Sequence, residues 1–240
     1  MQTPNQIDDI IKLTPQANGL LFHALKEGNK TYHVGVAFSL VADCSEREIR
    51  QIWDQIQRAQ PALRSVFTWQ QSRSPHQIIL KAPRVSLDYS LLSDQQIAQQ
   101  VDKGTGLSLS DAECENRIRQ YSQDWIQRSK VRPFELEQEV FRIACFHCPD
   151  RNILEVACSF HHILMDGWSS SVMINMWVSA LRGQLQNVVH PSDYAKQLWA
   201  GLSDADLEQS RTYWQKIFAH SDQHKGMETM LLSQPLFQQA

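Results

Sequence analysis

The chain has 240 residues, of which 42% are hydrophobic and 20% are charged, with a formal net charge of −3. This composition excludes a disordered chain, and the scattered Lys and Arg residues argue against nucleic acid or an anionic membrane surface as a partner. No apolar run approaches the roughly 20 residues that span a bilayer, and residues 1–9 lack the regions of a signal peptide. The five cysteines sit mostly in apolar segments, which indicates reduced thiols. We therefore expect a cytoplasmic protein.

The first third of the chain contains clear start signals for helices and one strand. Thr14 is placed to cap a first helix, and the alternation of apolar with small or polar residues in 33–41 is typical of a half-buried strand. Ser45 and Glu48 form a capping-box pattern ahead of an apolar stripe of helical spacing, which Pro61 ends.

The remaining pattern predicts a mixed α/β protein. Short strands are expected at 63–69, 77–80 and 85–89, a helix from 110 to 130, a hairpin from 139–147 and 153–160, and helices at 168–181, 192–200 and 203–218. We expect 92–111 to be a surface connection and the last twenty residues to be frayed. Strands with hairpin-length connections beside long helices favour a mixed sheet packed against helices over a doubly wound parallel fold.

The most informative segment is residues 160–168, FHHILMDGW, where a strand leads into a loop and a helix. Neighbouring residues at a strand end point to opposite sides, so only one of His161 and His162 can face a given cavity. A neutral imidazole can accept a proton from an attacking amine, thiol or alcohol, as acyl transfer requires. Asp166 would orient that imidazole or pair with a cation, and Gly167 would allow a sharp turn. The N–H groups that open the next helix could favour an anionic oxygen.

A structural histidine and a metal site are the alternatives for this segment. A histidine beside a strand often serves only as a hydrogen-bonded structural residue. The metal ligands would come from His161, His162 and Asp166, with help from Cys145, His147 and Cys148. Cys145 and Cys148 are three apart on a predicted strand and so face opposite sides, whereas a zinc knuckle needs converging thiolates. We therefore expect no metal.

The segment resembles the HHxxxDGWS core motif of nonribosomal peptide synthetase condensation domains. Further blocks resemble those of this family in the same order, at residues 13–23 (LTPQANGLLFH), 61–67 (PALRSVF) and 193–199 (DYAKQLW), with an aromatic pair at 213–214. The likeness extends over about residues 7–220.

Two blocks depart from the pattern of the family. Ala59 and Gln60 replace the Arg-His pair that opens the second block, whereas Arg64 is retained. The first block is one residue short, and Asn18 occupies a position that is acidic in the family.

The resemblance implies a chloramphenicol-acetyltransferase-like fold, of which an intact condensation domain has two lobes. Residues 1–220 would be the N-terminal lobe, residues 221–240 a poorly ordered segment, and the second lobe would be absent. This half alone would be inactive, and it would need a C-terminal condensation lobe or would self-associate.

The resemblance also implies roles for the residues of the motif. His162 would be the catalytic residue and would deprotonate or position the attacking amine, while His161 would be structural. Asp166 would form a salt bridge with Arg64, and Gly167 and Trp168 would set the loop and the start of the helix.

The implied reaction joins a donor acyl or peptidyl thioester to the amino group of an acceptor aminoacyl thioester. Both substrates would arrive on the phosphopantetheine arms of donor and acceptor carrier proteins, so no bound cofactor is expected. Two other functions remain open: an epimerization domain or another HxxxD acyltransferase, and a non-catalytic lobe that docks a carrier protein or is a truncated remnant. The Trp-Ser pair after Gly167 favours condensation over epimerization.

Overall fold

Helices lie against a four-stranded sheet in the part of the chain that the structure, a computed structural model, describes: residues 6–28, 31–70, 74–94, 97, 110–186, 191–201 and 203–219. The strands are β1 Ile7–Lys12, β2 His33–Val41, β3 Ser65–Thr68, β4 His76–Leu80, β5 Leu87–Leu91, β6 Phe141–Cys148 and β7 Ile153–His161. The helices are α1 Pro15–Lys26, α2 Glu46–Ala59, α3 Asp111–Val131, α4 Gly167–Leu181, α5 Pro191–Gly201 and α6 Asp204–Ala219.

The strands form two sheets of mixed topology. The larger sheet has the order β2-β7-β6-β5, in which only the β5–β6 pair is parallel. The smaller sheet has the order β1-β4-β3 and is antiparallel. The predicted hairpin is formed by β6 and β7, and the prediction of a mixed sheet packed against helices is confirmed.

The core lies on both faces of the larger sheet. Helices α2 and α4 pack on one face, where the rings of Trp53 and Trp177 stack at 6.2 Å and those of Trp53 and Phe141 at 5.7 Å. Helix α3 covers the other face through residues that include Ile118 and Ile126. Because successive strand residues point to opposite faces, β6 and β7 are buried along nearly their whole length, as strands covered on both sides must be.

One contact between β2 and α3 requires a glycine. A Cβ built on Gly35 would overlap Cγ2 of Ile126 and lie 3.4 Å from its Cβ and Cγ1. The branched side chain of Ile126 is rigid at this point, so the helix reaches this distance only because position 35 has no side chain.

The predicted helix starts are confirmed by their hydrogen bonds. Thr14 Oγ1 accepts from Ala17 N at 3.2 Å, and both capping boxes form, at Ser45 with Glu48 and at Ser110 with Glu113. Each cap satisfies amide groups that the first turn of a helix leaves without partners.

The connection predicted for residues 92–111 lies mostly outside the described residues. Its two described apolar residues, Leu92 and Ile97, are buried against α3. The prediction of a surface connection is therefore wrong for these two residues. The frayed segment predicted at 221–240 also lies outside the described residues. Within the described part of the chain, no helix combines the length and apolar character needed to cross a membrane.

Candidate functional site

The segment from His161 to Gly167 joins the end of β7 to the start of α4. The amide of His161 donates to Val140 O at 3.0 Å, and the amide of His162 donates to Tyr32 O at 2.8 Å. Tyr32 has a φ of 61°, in the left-handed region that bulky residues rarely adopt. The two histidines are therefore tied to the chain on opposite sides of β7, at a place where the backbone is held in an uncommon conformation.

His161 points into the protein and is completely buried. Its Nδ1 accepts from the amide of Ile163 at 3.2 Å, and its ring contacts the rings of Tyr32 and His33, with centroids 6.0 and 6.4 Å away. Burial, followed by the nearby charges of His33 and His162, lowers the pKa of His161 to about 4. His161 is thus a neutral ring enclosed by packing, which gives it no route to a substrate in solution.

His162 points the other way, and its side chain is exposed. Within the described residues, no side chain or carbonyl forms a hydrogen bond with its imidazole, so the ring is available to a ligand. The structure therefore separates the two histidines as strand geometry predicted: one is enclosed and one is accessible.

Asp166 is the N-cap of α4. Its Oδ1 accepts from Ser169 N at 2.8 Å and from Ser169 Oγ at 2.7 Å, and its backbone carbonyl accepts from Ser170 N at 3.2 Å. These bonds from Ser169 lower the pKa of the Asp166 carboxyl. Two of the amides that we expected to be available for an anionic oxygen are thus already bonded to Asp166.

The prediction of a salt bridge between Asp166 and Arg64 is wrong. Arg64 is buried and donates instead to the carbonyl of Gln57 at 3.0 Å, to the carbonyl of Leu80, and to Asp8 Oδ2 at 3.4 Å. The physical reason is local: the guanidinium satisfies carbonyls of α2 and β4, and β1 brings an acidic residue beside it. Arg64 therefore joins three elements of the fold and does not reach the loop of the motif.

Gly167 and Trp168 open α4, as expected, but the role given to Gly167 is wrong. Its φ is not in the left-handed region, and a Cβ there would meet open space, so the backbone does not require glycine at this position. Trp168 is 82% exposed, which is unusual for so large an apolar side chain and places it on an accessible surface of the site.

A small apolar pocket lies beside the motif, between α4 and the short 3₁₀ turn that follows α2. It has a volume of about 180 Å³. Its walls are formed by Gln60, Ala62, Leu63, Leu164, Met165, Trp168, Ser169, Val172, Met173 and Met176. Sequence reasoning missed this pocket, although the apolar residues between His162 and Asp166 and the partly exposed side of α4 were a signal for it.

Four of the five cysteines are buried in the core, and Cys44 is half-buried. Cys145 and Cys148 lie in different core clusters, on opposite faces of the larger sheet, so the prediction that these two side chains face opposite sides is confirmed. Burial raises the pKa of both thiols, and all five cysteines are free. Among the described residues, no group of three or more His, Cys, Asp or Glu side chains is arranged to hold a metal ion.

Comparison with known proteins places this geometry in a family. The profile of the family described as "Condensation domain" matches residues 7–229. Surfactin synthase subunit 3 of Bacillus subtilis (strain 168) is 24% identical over 221 residues, which are 88% of this chain and 16% of that protein. Gramicidin S synthase 2 of Brevibacillus brevis is 25% identical over 227 residues, which are 90% of this chain and 5% of that protein.

Solved structures share the fold. The first condensation domain of the calcium-dependent antibiotic synthetase, in complex with a substrate analogue, matches with a TM-score of 0.64 and 15% identity, over 88% of this chain and 48% of that one. The condensation domain from Monacolin K polyketide synthase matches with a TM-score of 0.63 and 11% identity, over 88% and 43% of the two chains. The chain thus spans about half of these condensation-domain structures and a small part of the curated synthetases. Because the family profile covers most of its length, this protein belongs to the condensation domain family.

Proposed function

We propose that this chain is the N-terminal lobe of a nonribosomal peptide synthetase condensation domain, and that it forms an amide bond when it is combined with a C-terminal lobe. The donor is an acyl or peptidyl thioester and the acceptor an aminoacyl thioester, each on the phosphopantetheine arm of a carrier protein. The observation that carries the proposal is the exposed imidazole of His162, fixed at the end of a central strand beside an apolar pocket.

The reaction needs one group that handles the proton of the nucleophile. The acceptor nitrogen attacks the thioester carbonyl, the C–N bond forms, the C–S bond breaks, and the proton lost by nitrogen ends on the departing thiolate. His162 is the group that would take or position that proton, because its ring is accessible and a neutral imidazole nitrogen can accept a proton. His161 is unsuited to this step because it is enclosed.

The pocket beside the motif supports an acyl substrate rather than a polar one. Its walls are mostly aliphatic, with three methionines, and Trp168 stands exposed at its rim. Flexible methionine side chains accommodate apolar groups of varied shape. We assign this pocket to an apolar part of one of the two acyl groups.

The test is a reconstitution of amide formation. Donor and acceptor carrier proteins are loaded with their thioesters and mixed with this chain, with and without a separately purified C-terminal condensation lobe, and the product on the acceptor carrier is measured by mass spectrometry. We expect product only when both lobes are present. A positioned general base is worth about 10²- to 10⁴-fold in rate, so His162→Ala should lower the rate of the mixture by that factor.

A matched control separates catalysis from folding. His76→Ala removes a histidine from the smaller sheet, and it should leave the rate unchanged. If His162→Ala turns over as fast as the wild type, the catalytic assignment is wrong. If no mixture turns over while the chain still binds a carrier protein, the lobe is a docking unit and not half of an enzyme.

A further inference from the structure

A second, strongly polar cleft lies where the end of α3, the segment before β5 and the start of β6 meet. Its volume is about 520 Å³, which is nearly three times that of the apolar pocket of about 180 Å³. The charged residues of its wall are Arg84, Asp88, Arg128, Arg132, Glu139 and Arg142. Among the residues of its wall, only Leu63 also lines the apolar pocket, so the cleft is a separate cavity.

The charges of the cleft do not balance. Four arginines face two carboxylates, which leaves two positive charges in excess. Glu139 is already engaged by Arg132 at 3.1 Å and by Arg142 at 2.6 Å. Asp88 accepts a long bond of 3.4 Å from Trp125 Nε1. Arg84 and Arg128, the other two arginines, have no carboxylate within ion-pair distance among the described residues.

Arg84 and Arg128 are the two cations left over. Arg84 donates to the backbone carbonyl of Gln138, and partial burial in the cleft lowers the pKa of Arg84, an effect that Glu139 partly offsets. Arg128 makes no ion pair or hydrogen bond within the described part of the chain, and it stands in the last turn of α3. Arg84 and Arg128 are both exposed and lack an ion pair to any described residue, and two such cations in one cleft are stabilised by an anion that bonds to both.

Arg142 covers the end of α3, which would otherwise repel an anion in the cleft. The carbonyls at the end of a helix carry partial negative charge. Arg142 is buried and donates to the carbonyls of Ser129, Arg132 and Pro133 at 2.9, 2.8 and 2.9 Å, so it covers that end of α3. The charges of the wall that no ion pair between described residues neutralises are then the cations of Arg84 and Arg128 and the carboxylate of Asp88, so the exposed wall is net cationic.

We propose that this cleft binds a phosphorylated anion, held by Arg84 and Arg128. A phosphate group carries a charge of about −1.5 to −2 at pH 7, which matches the excess charge of the cleft, and its oxygens fit the fork of a guanidinium. Trp125 supplies an aromatic wall at the same place. This proposal rests on the charges of the cleft and not on the proposed function.

The test measures the binding of pyrophosphate to the full chain by isothermal titration calorimetry at fixed ionic strength. The double variant Arg84→Gln, Arg128→Gln should weaken binding at least tenfold, since it removes both cations that lack an ion pair. The control is the double variant Arg58→Gln, Arg211→Gln, which removes the same charge from exposed ion pairs on α2 and α6. This control should bind pyrophosphate as the wild type does.

Three results would overturn the proposal. The first is no detectable binding at millimolar pyrophosphate. The second is an equal loss in both double variants, which would mean a general effect of net charge. The third is citrate binding as tightly as pyrophosphate, which would mean that the cleft does not select phosphoryl oxygens. Circular dichroism of each variant is the check that the fold is kept, so that a loss of binding can be attributed to the cleft.

Discussion

Replacing Asp166 tests the structure at the centre of its motif. Its carboxylate accepts two hydrogen bonds from Ser169, at 2.8 and 2.7 Å, and so caps α4. Loss of an N-cap costs about 1 kcal/mol, and Asp166 is exposed, so Asp166→Ala should lower the free energy of unfolding by about that amount. For a chain of 240 residues this corresponds to a fall in Tm of about 2–4 °C. Asp166→Asn keeps the accepting oxygen and should lose much less.

The assay is urea unfolding followed by circular dichroism, repeated from neutral to acidic pH. The bonds from Ser169 lower the folded-state pKa of Asp166 below its unfolded value. The charged cap therefore stabilises the fold above the ordinary carboxyl pKa, and this contribution is lost as the pH falls through the lowered pKa. Asp166→Asn should lack that loss.

A double-mutant cycle decides between the cap and the salt bridge that the family resemblance implied. Asp166→Ala combined with Arg64→Lys should be additive within about 0.5 kcal/mol, since the residues share no contact. Asp8→Ala with Arg64→Lys should show coupling, because Asp8 is the ion-pair partner of Arg64. A coupling of about 1 kcal/mol or more between positions 166 and 64 would refute the reasoning.

Three further predictions concern the packing and the pH dependence of the fold. Gly35→Ala should destabilise the protein by about 1–3 kcal/mol in urea unfolding, and Ile126→Leu, which removes the overlapping methyl branch, should recover part of that loss; independent effects would contradict the close contact. Glu155 is buried and accepts from Ser122 at 2.9 Å, so Glu155→Ala should cost about 1–3 kcal/mol and Glu155→Gln less, and equal costs would show that the bond is unimportant. His161 is neutral in the fold with a pKa of about 4, so the free energy of unfolding should fall by about 3 kcal/mol as the pH falls from 6.5 to 4. His161→Asn should flatten this dependence of the free energy of unfolding on pH, and an unchanged dependence would contradict the enclosed ring.

Local signals predicted much of the fold because they act within one turn or one strand. The capping boxes at Ser45 and Ser110 and the alternation in 33–41 depend only on near neighbours along the chain. Each is present in the structure with the expected bounds to within a residue or two. The turn between β6 and β7 was equally local, and Asn152 adopts the left-handed conformation that such a turn accepts from asparagine.

The sequence reasoning did not predict β1, the strand that supplies Asp8, the ion-pair partner of Arg64. Strand β1 has the sequence IDDIIK, whose polar pair at Asp8 and Asp9 conceals the alternation of an edge strand. Its pairing with β4 depends on residues about seventy positions away, as Ile10 lies opposite Ile78. The pairing of Arg64 with Asp166 came from the family resemblance, and without β1 nothing in the sequence pattern indicated Asp8 as the partner.

The sequence predicted only part of the site, because the burial of a side chain depends on packing between elements that are distant along the chain. Strand geometry indicated that His161 and His162 point apart, but not which of them is enclosed, since that depends on the packing around His33 and Tyr32. The arginine cleft was not predicted at all, because it joins residues of three elements that are distant in sequence.

The pairing of β2 with β7 has a consequence for how this motif tolerates changes in chain length. His33 lies opposite His161, and seven further pairs separate this one from the pair Val41 with Ile153. A residue inserted within β7 would shift the following side chains by one position and turn each to the opposite face of the sheet. His161 would then occupy the solvent-facing place of His162, and His162 would move one position further into the loop. Insertions between β6 and β7 leave the alignment intact, so length variants of this chain that keep an accessible histidine should concentrate in that turn.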